Sequence, residues 1–223
     1  MEKVIIGPAT LILGDARTVL GELAKPAALL ADPHYGKRYR SRHNEKRGRS
    51  RPEWARKNGN FKPIAGDFDD FDPTWMLELE LPSIIWGADH FHDSLPGDRR
   101  LLVWDKLAGK TPTKCNGDIE IAWCSEKGPN RIFTHLWRGI IRAGEENVSR
   151  SPKLHPHQKP VALIDWCLQF LPTSGVLCDP YMGSGTTGLA CLRRKREFVG
   201  VEIDPAHFET ACQRLEHEWR KVA

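Results

Sequence analysis

Three stretches of this chain end an apolar run in a carboxylate at a turn. Ala27-Ala28-Leu29-Leu30-Ala31 runs into Asp32-Pro33-His34-Tyr35-Gly36. Val176-Leu177-Cys178 runs into Asp179-Pro180-Tyr181-Met182-Gly183-Ser184-Gly185-Thr186-Thr187-Gly188, and Phe198-Val199-Gly200-Val201 ends in Glu202. The first stretch offers a carboxylate, a peptide carbonyl in the backbone that proline restricts, and an aromatic face. That set fits a planar ring bearing an exocyclic amine, with two acceptors for the N–H bonds and a surface to stack on. Standing alone it would be weak, since Asp-Pro often only starts a turn. The glycine-rich stretch leaves backbone N–H groups at a helix N-terminus and lets the main chain approach a ligand closely. Glu202, at the tip of the following strand, stands where a ribose diol would be gripped. Together the last two describe a nucleoside-containing cofactor lying across adjacent strand ends.

Gly183-Ser184-Gly185-Thr186-Thr187-Gly188 also satisfies G-x-G-x-x-G, which on its own admits a nicotinamide dehydrogenase. Two features oppose that reading. The loop is entered through Asp179, a carboxylate suited to a cationic or hydroxylated group and poorly suited to a pyrophosphate. The separate Asp32 to Tyr35 site, with a basic segment behind it, is more than a small-molecule dehydrogenase needs. Residues 37–62 hold eleven Lys or Arg, among them Lys37, Arg38, Arg40, Arg42, Lys46, Arg47, Arg49, Arg51, Arg56 and Lys57, against Glu45 and Glu53. That segment carries about +9 and the rest of the chain about −5 of the net +4, so the basic character is local. Tyr39, Trp54 and Phe61 interleave it. We read a long loop that contacts nucleic acid, a solvated charge run being the bland alternative. Asp89-His90-Phe91-His92-Asp93 resembles a metal cluster, but alternating histidines on a strand end give neither a third fixed ligand nor a helical i,i+4 pair. No metal is expected, and these residues better suit the wall of a target-base pocket.

The elements that must position these residues alternate. Strands are expected at 4–6, 10–13, 27–31, 83–87, 100–104, 118–124, 131–136 and 197–201, as well as in the run that ends at Asp179. Helices are expected over 15–24 with Asp15 as cap, from Asp72-Pro73 to Glu80, from Val161 through Leu171, and from Pro205 with Asp204 as cap. Residues 138–155 read as irregular. This is an α/β pattern with a largely parallel sheet, whose ligands sit beyond the carboxyl ends of the strands. A chain of 223 residues is expected to be one domain. No apolar run reaches the roughly 18 residues of a membrane span, and Val4-Ile5-Ile6 is too short for a signal peptide, so the chain reads as cytoplasmic, with no membrane partner. The six cysteines are widely spaced and read as small buried hydrophobes.

Taken together, the motifs resemble the S-adenosylmethionine-dependent amino-group DNA methyltransferases. Asp179 through Gly185 is similar to the family's cofactor loop, Asp-Pro-Phe-x-Gly-Ser-Gly-Thr, and Asp32 to Tyr35 to its catalytic Asp-Pro-Pro-Tyr. His155-Pro156-His157-Gln158-Lys159-Pro160 is similar to the His-Pro-Thr-Gln-Lys-Pro that precedes the cofactor loop in the permuted (beta-type) group. The likeness covers nearly the whole chain and is nearest to compact phage and prophage adenine N6-methyltransferases. It implies a Rossmann-like methyltransferase fold with a circularly permuted motif order, a mostly parallel seven-stranded sheet and helices on both faces. It further implies S-adenosyl-L-methionine as cofactor and a flipped adenine in DNA as substrate, in a bacterial or phage-encoded monomer or homodimer. Asp32, Pro33, His34 and Tyr35 would be catalytic. Asp15 would meet the cofactor's adenine amine, Glu202 its ribose hydroxyls, and Asp179 with the glycine loop and Lys159 its methionine end. Ala16, His155, Gln158, Pro180, Met182, Gly183, Ser184, Gly185, Thr186, Thr187, Ile203 and Asp204 would belong to the same cofactor site.

Two departures qualify the likeness. His34 stands where proline is usual, which keeps the Pro33 carbonyl but loosens the loop. The interval from about 106 to 154 must house strands as well as target recognition, which implies short or relaxed sequence specificity read by residues 106–114 and 138–153. Cytosine N4 or RNA as substrate, a protein substrate, and a DNA-binding relative made inactive by His34 stay open.

Overall fold

The continuously apolar runs take the centre of a sheet. In the computed structural model, which describes residues 1–34, 71–111, 117–138, 141–143 and 158–223, every side chain of β3 (Ala28–Ala31) and β4 (Ser83–Trp86) is buried. They lie in one nine-stranded sheet with β1 (Glu2–Ile6), β2 (Ala9–Leu13), β5 (Arg100–Asp105), β6 (Ile119–Cys124), β7 (Arg131–Thr134), β10 (Leu177–Asp179) and β11 (Phe198–Glu202). The order is β1-β2-β11-β10-β3-β4-β6-β5-β7. The short strands β8 (Trp137–Arg138) and β9 (Ile141–Arg142) pair separately, within a region expected to be irregular. Residues 35–70 lie outside the described region, and with them Tyr35 and the whole basic segment; so does His155.

Following the pairings across the sheet, β1 and β6 run against the other seven strands. The seven strands that the resemblance implies are corrected to nine among the described residues, the number of apolar runs that the sequence itself offers as strands. Seven strands share one direction. β1 is added as an antiparallel hairpin on β2, with Ile6 opposite Ala9 across the Gly7-Pro8 turn, and β6 is inserted antiparallel between β4 and β5.

Strand alternation sends successive side chains to opposite faces. Ala28 and Leu30 join Ile84, Trp86, Leu102 and Trp104 under α3 (Val161–Cys167), α4 (Thr186–Arg193) and α5 (Pro205–Val222). Leu29 and Ala31 join Ile85, Cys178 and Val201 on the other face, covered by α1 (Ala16–Glu22) and α2 (Thr74–Leu77). Helices thus cover both faces. Asp15 caps α1, accepting from the N–H of Arg17 and Thr18 at 3.0 and 3.1 Å, and Asp204 caps α5 through Ala206 and His207. The helix expected after Asp72 is a single turn, and Asp72 accepts from the Thr74 N–H just ahead of it. The one expected through Leu171 ends its α-helical part at Cys167 and tightens into a 3-10 turn over Leu168–Phe170. The five described cysteines are free and buried. Among the described residues no helix is long and apolar enough to cross a membrane.

Candidate active site

The shared strand direction delivers β2, β11, β10 and β3 to one edge by their carboxyl ends. Leu13 pairs with Glu202, Asp179 with Gly200, and Cys178 with Leu29. Asp15, Glu202, Asp179 and Asp32 therefore follow one another along that edge.

Main-chain groups hold the β10–β11 half. Glu202, 9% exposed, accepts from the Gly183 N–H through Oε2 and from the Asp204 N–H through Oε1, both at 2.8 Å. Asp179, 3% exposed, accepts from Thr187 Oγ1 at 2.6 Å and from the Tyr181 N–H at 3.0 Å. Burial pushes the Asp179 carboxyl up to about 7; the bonds from Thr187 and Tyr181 resist this, while the charges of Asp32 and Glu202 add to it. Burial likewise raises Glu202, against its bonds from Asp204 and Gly183. The loop turns through left-handed backbone at Gly183 (φ 53°) and Gly185 (φ 80°). A Cβ at Gly185 would lie 2.7 Å from Leu215, and one at Gly188 would meet Leu215 and Phe198 at 2.7 and 2.9 Å, so glycine here also lets α4 close on α5 and β11. Arg214 of α5 clamps Ser184 by its carbonyl and, at 2.9 Å, by its hydroxyl. Pro180, Met182, Thr186 and Ala16 are buried, whereas Ile203 is 54% exposed beside Glu202.

Side chains hold the β3 half. Lys159, just ahead of α3 and 6% exposed, donates to both oxygens of Asp32 at 2.7 Å. Its Nζ also lies 3.1 Å from Glu120 Oε2, and Lys106 Nζ lies 2.9 Å from Glu120 Oε1. Burial opposes the Lys159 charge, but the carboxylates of Asp32 and Glu120 outweigh it and raise the ammonium above its ordinary range. Burial would raise Glu120; the two lysines instead bring it down to about 2. The ammonium sits 5.8 Å from the centre of the Trp86 ring. The main-chain carbonyl of Gln158 accepts from the Trp137 indole N–H at 3.1 Å.

His34 has a packing role that its departure from proline did not suggest. Its ring meets Phe71 and Tyr181 edge-on at 5.3 and 6.4 Å, in a cluster that continues to Phe91 and Trp75. Phe91 is the buried member of the Asp89–Asp93 segment. His90 and His92 lie 3.4 and 3.2 Å from their neighbours Asp89 and Asp93, and among the described residues no group of three His, Cys, Asp or Glu could hold a metal.

The structure thus brings Asp32 and Pro33 to the cofactor-like loop, and it joins to Asp32 the Lys159 that the resemblance gives to the cofactor. Glu120 and Arg214 were missed. Glu120 did leave a signal: it shares strand parity with the buried Ala122 and Cys124, a charge on a core-facing position.

Residues 53–213 match the family described as DNA methylase, of N6/N4 type. The chain belongs to the N6/N4 DNA methylase family. It is 35% identical over 107 residues to the type II methyltransferase M.ScaI of Streptomyces caespitosus, covering 47% of this chain and 34% of that protein. It is 32% identical over 118 residues to M2.DpnII of Streptococcus pneumoniae, covering 52% and 42%. The matched stretch therefore spans less than half the length of these relatives. The fold is that of solved methyltransferases in this class. The M1.HpyAVI–SAM complex aligns with a TM-score of 0.52 at 22% identity, over 92% of this chain and 99% of that one. The cytosine-N4-specific PvuII DNA methyltransferase aligns with a TM-score of 0.55 at 11% identity, over 96% and 92%.

Proposed function

We propose that the chain transfers a methyl group from S-adenosyl-L-methionine to an exocyclic amine of DNA, and that the amine is N6 of adenine. The observation that carries this reading is the meeting of Asp32-Pro33 with the Asp179–Gly185 loop at one sheet edge, where β3 pairs with β10 and the His34 ring lies 6.4 Å from that of Tyr181.

The donor set suits the cofactor. Asp179 and Glu202 are buried carboxylates whose pKa values burial raises, an anionic pair that a cationic ligand would relieve and a pyrophosphate would worsen. Asp179 with residues 182–187 would hold the methionine end, Glu202 the ribose hydroxyls, and Asp15, Ala16 and the exposed Ile203 the adenine side. When bound, the cofactor supplies a methyl on a sulfonium, an electrophile that needs no further activation.

The chain's task is the amine. Adenine N6 is a poor nucleophile because its lone pair is delocalised into the ring. With the base flipped out of the helix, the Asp32 carboxylate and the Pro33 carbonyl accept its two N–H bonds, favour a tetrahedral nitrogen and aim the lone pair. As the N–C bond forms and the S–C bond breaks, the nitrogen sheds one proton towards Asp32. Tyr35 stacks on the ring. Catalysis here is positioning and electrostatics, with no covalent enzyme intermediate.

The basic residues from Lys37 to Lys57 supply phosphate contacts. With six or more engaged, DNA affinity should fall by roughly 10³ or more between 50 and 200 mM salt. Affinity flat across that range would remove this segment from DNA binding. The reading includes the single-domain, compact phage-type organisation that the sequence resembles, with a short or relaxed target site. Incubating the protein with labelled cofactor and DNA or RNA, then analysing the nucleosides, tests it: N6-methyldeoxyadenosine is expected. N4-methyldeoxycytidine would overturn the choice of base, and label in RNA alone the choice of substrate.

A further inference from the structure

We infer that Glu120 is a positioning residue for methyl transfer, clamping Lys159 so that its ammonium stays centred on the Asp32 carboxylate while the target amine docks. The inference rests on the function proposed above.

β6 runs against its neighbours, so its first residues reach the edge where β3, β4 and β5 end. That reversal puts Glu120 beside Lys159, on the face of the sheet that carries Trp86, Ala122 and Cys124. The result is an alternating array: Lys106, Glu120 at 2.9 Å, Lys159 at 3.1 Å, then Asp32 at 2.7 Å. An array of this kind gives stability little reason to exist, because well-packed apolar residues of similar volume are often as stable as a buried ion pair. It does have a consequence for Asp32. An ammonium held by one carboxylate alone is free to swing onto a single oxygen and cover the lone pair that the target amine needs, whereas here it donates to both oxygens at 2.7 Å. Glu120, 3.1 Å from the same ammonium, gives it a second anchor that holds it in that centred position, and Lys106 keeps Glu120 from carrying uncompensated charge. Glu120 touches neither base nor cofactor in this scheme; it acts through Lys159.

The test compares wild type, Glu120→Gln and the charge-balanced Glu120→Gln/Lys106→Met. Single-turnover methyl transfer at saturating cofactor and DNA is measured with cofactor Kd, Tm and the ¹⁵N resonance of Lys159 Nζ. We expect Glu120→Gln to lose at least tenfold in rate, with cofactor Kd within twofold of wild type and the Lys159 Nζ protons exchanging faster. The double variant should recover part of the rate, because without Lys106 the amide oxygen introduced at position 120 serves Lys159 alone. A wild-type rate with an unchanged Nζ signal overturns the inference, and so does a rate loss matched by lost cofactor affinity or Tm. If wild type binds cofactor yet methylates no DNA, the proposed function fails. The Nζ signal then decides alone: loss of protection in Glu120→Gln supports the clamp, and no change rejects it.

Discussion

The two halves of the ligand edge are built on opposite plans. At β10 and β11 the carboxylates of Asp179 and Glu202 are held by backbone N–H groups and one hydroxyl, and among the described residues no lysine or arginine pairs with either. At β3 the Asp32 carboxylate is held by the ammonium of Lys159, itself balanced by Glu120 and Lys106. The first arrangement, two buried carboxylates with no lysine or arginine partner among the described residues, suits a cationic cofactor. The second is balanced among the described residues, two ammoniums against two carboxylates, and presents acceptors, which suits the neutral amine proposed as its substrate.

Lys159→Met breaks the balanced half most severely, since it takes the ammonium away from Asp32 and leaves Glu120 with Lys106 alone. Losing one partner of a buried pair costs about 3–5 kcal/mol, and at roughly 2–4 °C per kcal/mol for a chain this size, thermal melting should show a drop of about 6 °C or more. A melt within a degree of wild type would mean that water already compensates those charges.

The halves should also differ in the sign of their pH dependence. Asp179, raised from 3.8 to about 7, binds its proton more tightly folded than unfolded. Stability from this group therefore falls as pH rises from about 4 to 7, with a slope of up to about 1.4 kcal/mol per pH unit. Glu120, lowered from 4.5 to about 2, contributes stability that is present above about 4.5 and lost as pH falls towards 2. Denaturation across pH should show Asp179→Asn flattening the first slope and Glu120→Gln the second; identical profiles would erase the contrast. Cofactor affinity should rise as pH passes through about 7, because a cation binds better once Asp179 has lost its proton.

A smaller effect is expected from Thr187→Val. It removes one bond to Asp179, worth about 1–2 kcal/mol, and calorimetry should read roughly a tenfold loss of cofactor affinity with DNA affinity unchanged. Smallest is Asp204→Ala, which uncaps α5 at about 1 kcal/mol. It should lower Tm by a few degrees while the single-turnover rate at saturating cofactor stays near wild type.

The difference between the halves also explains what could be read from the sequence. The β10 half is nearly contiguous: Asp179, the glycine turn and Thr187 lie within nine residues, so the strand, the turn and the chemistry appear in one stretch. The β3 half is assembled over distance. Asp32 and Lys159 are 127 positions apart, and Glu120 comes from a strand whose antiparallel insertion no local pattern announces. Asp32-Pro33 could be seen as acceptors, but not that their carboxylate is tied to an ionic array. The same limit hid Arg214, an ordinary helix residue until α5 packs over the loop and brings it to Ser184. The seven co-directed strands follow from alternating apolar runs and helices, whereas β1 and β6 reverse through connections that hydrophobic pattern does not specify.

The most direct test of the central claim is Asp32→Ala assayed side by side with wild type for methyl transfer to DNA and, separately, for S-adenosyl-L-methionine binding. Transfer should fall by roughly 10² or more while cofactor affinity stays within a few-fold. Transfer by Asp32→Ala at near the wild-type rate would contradict that claim.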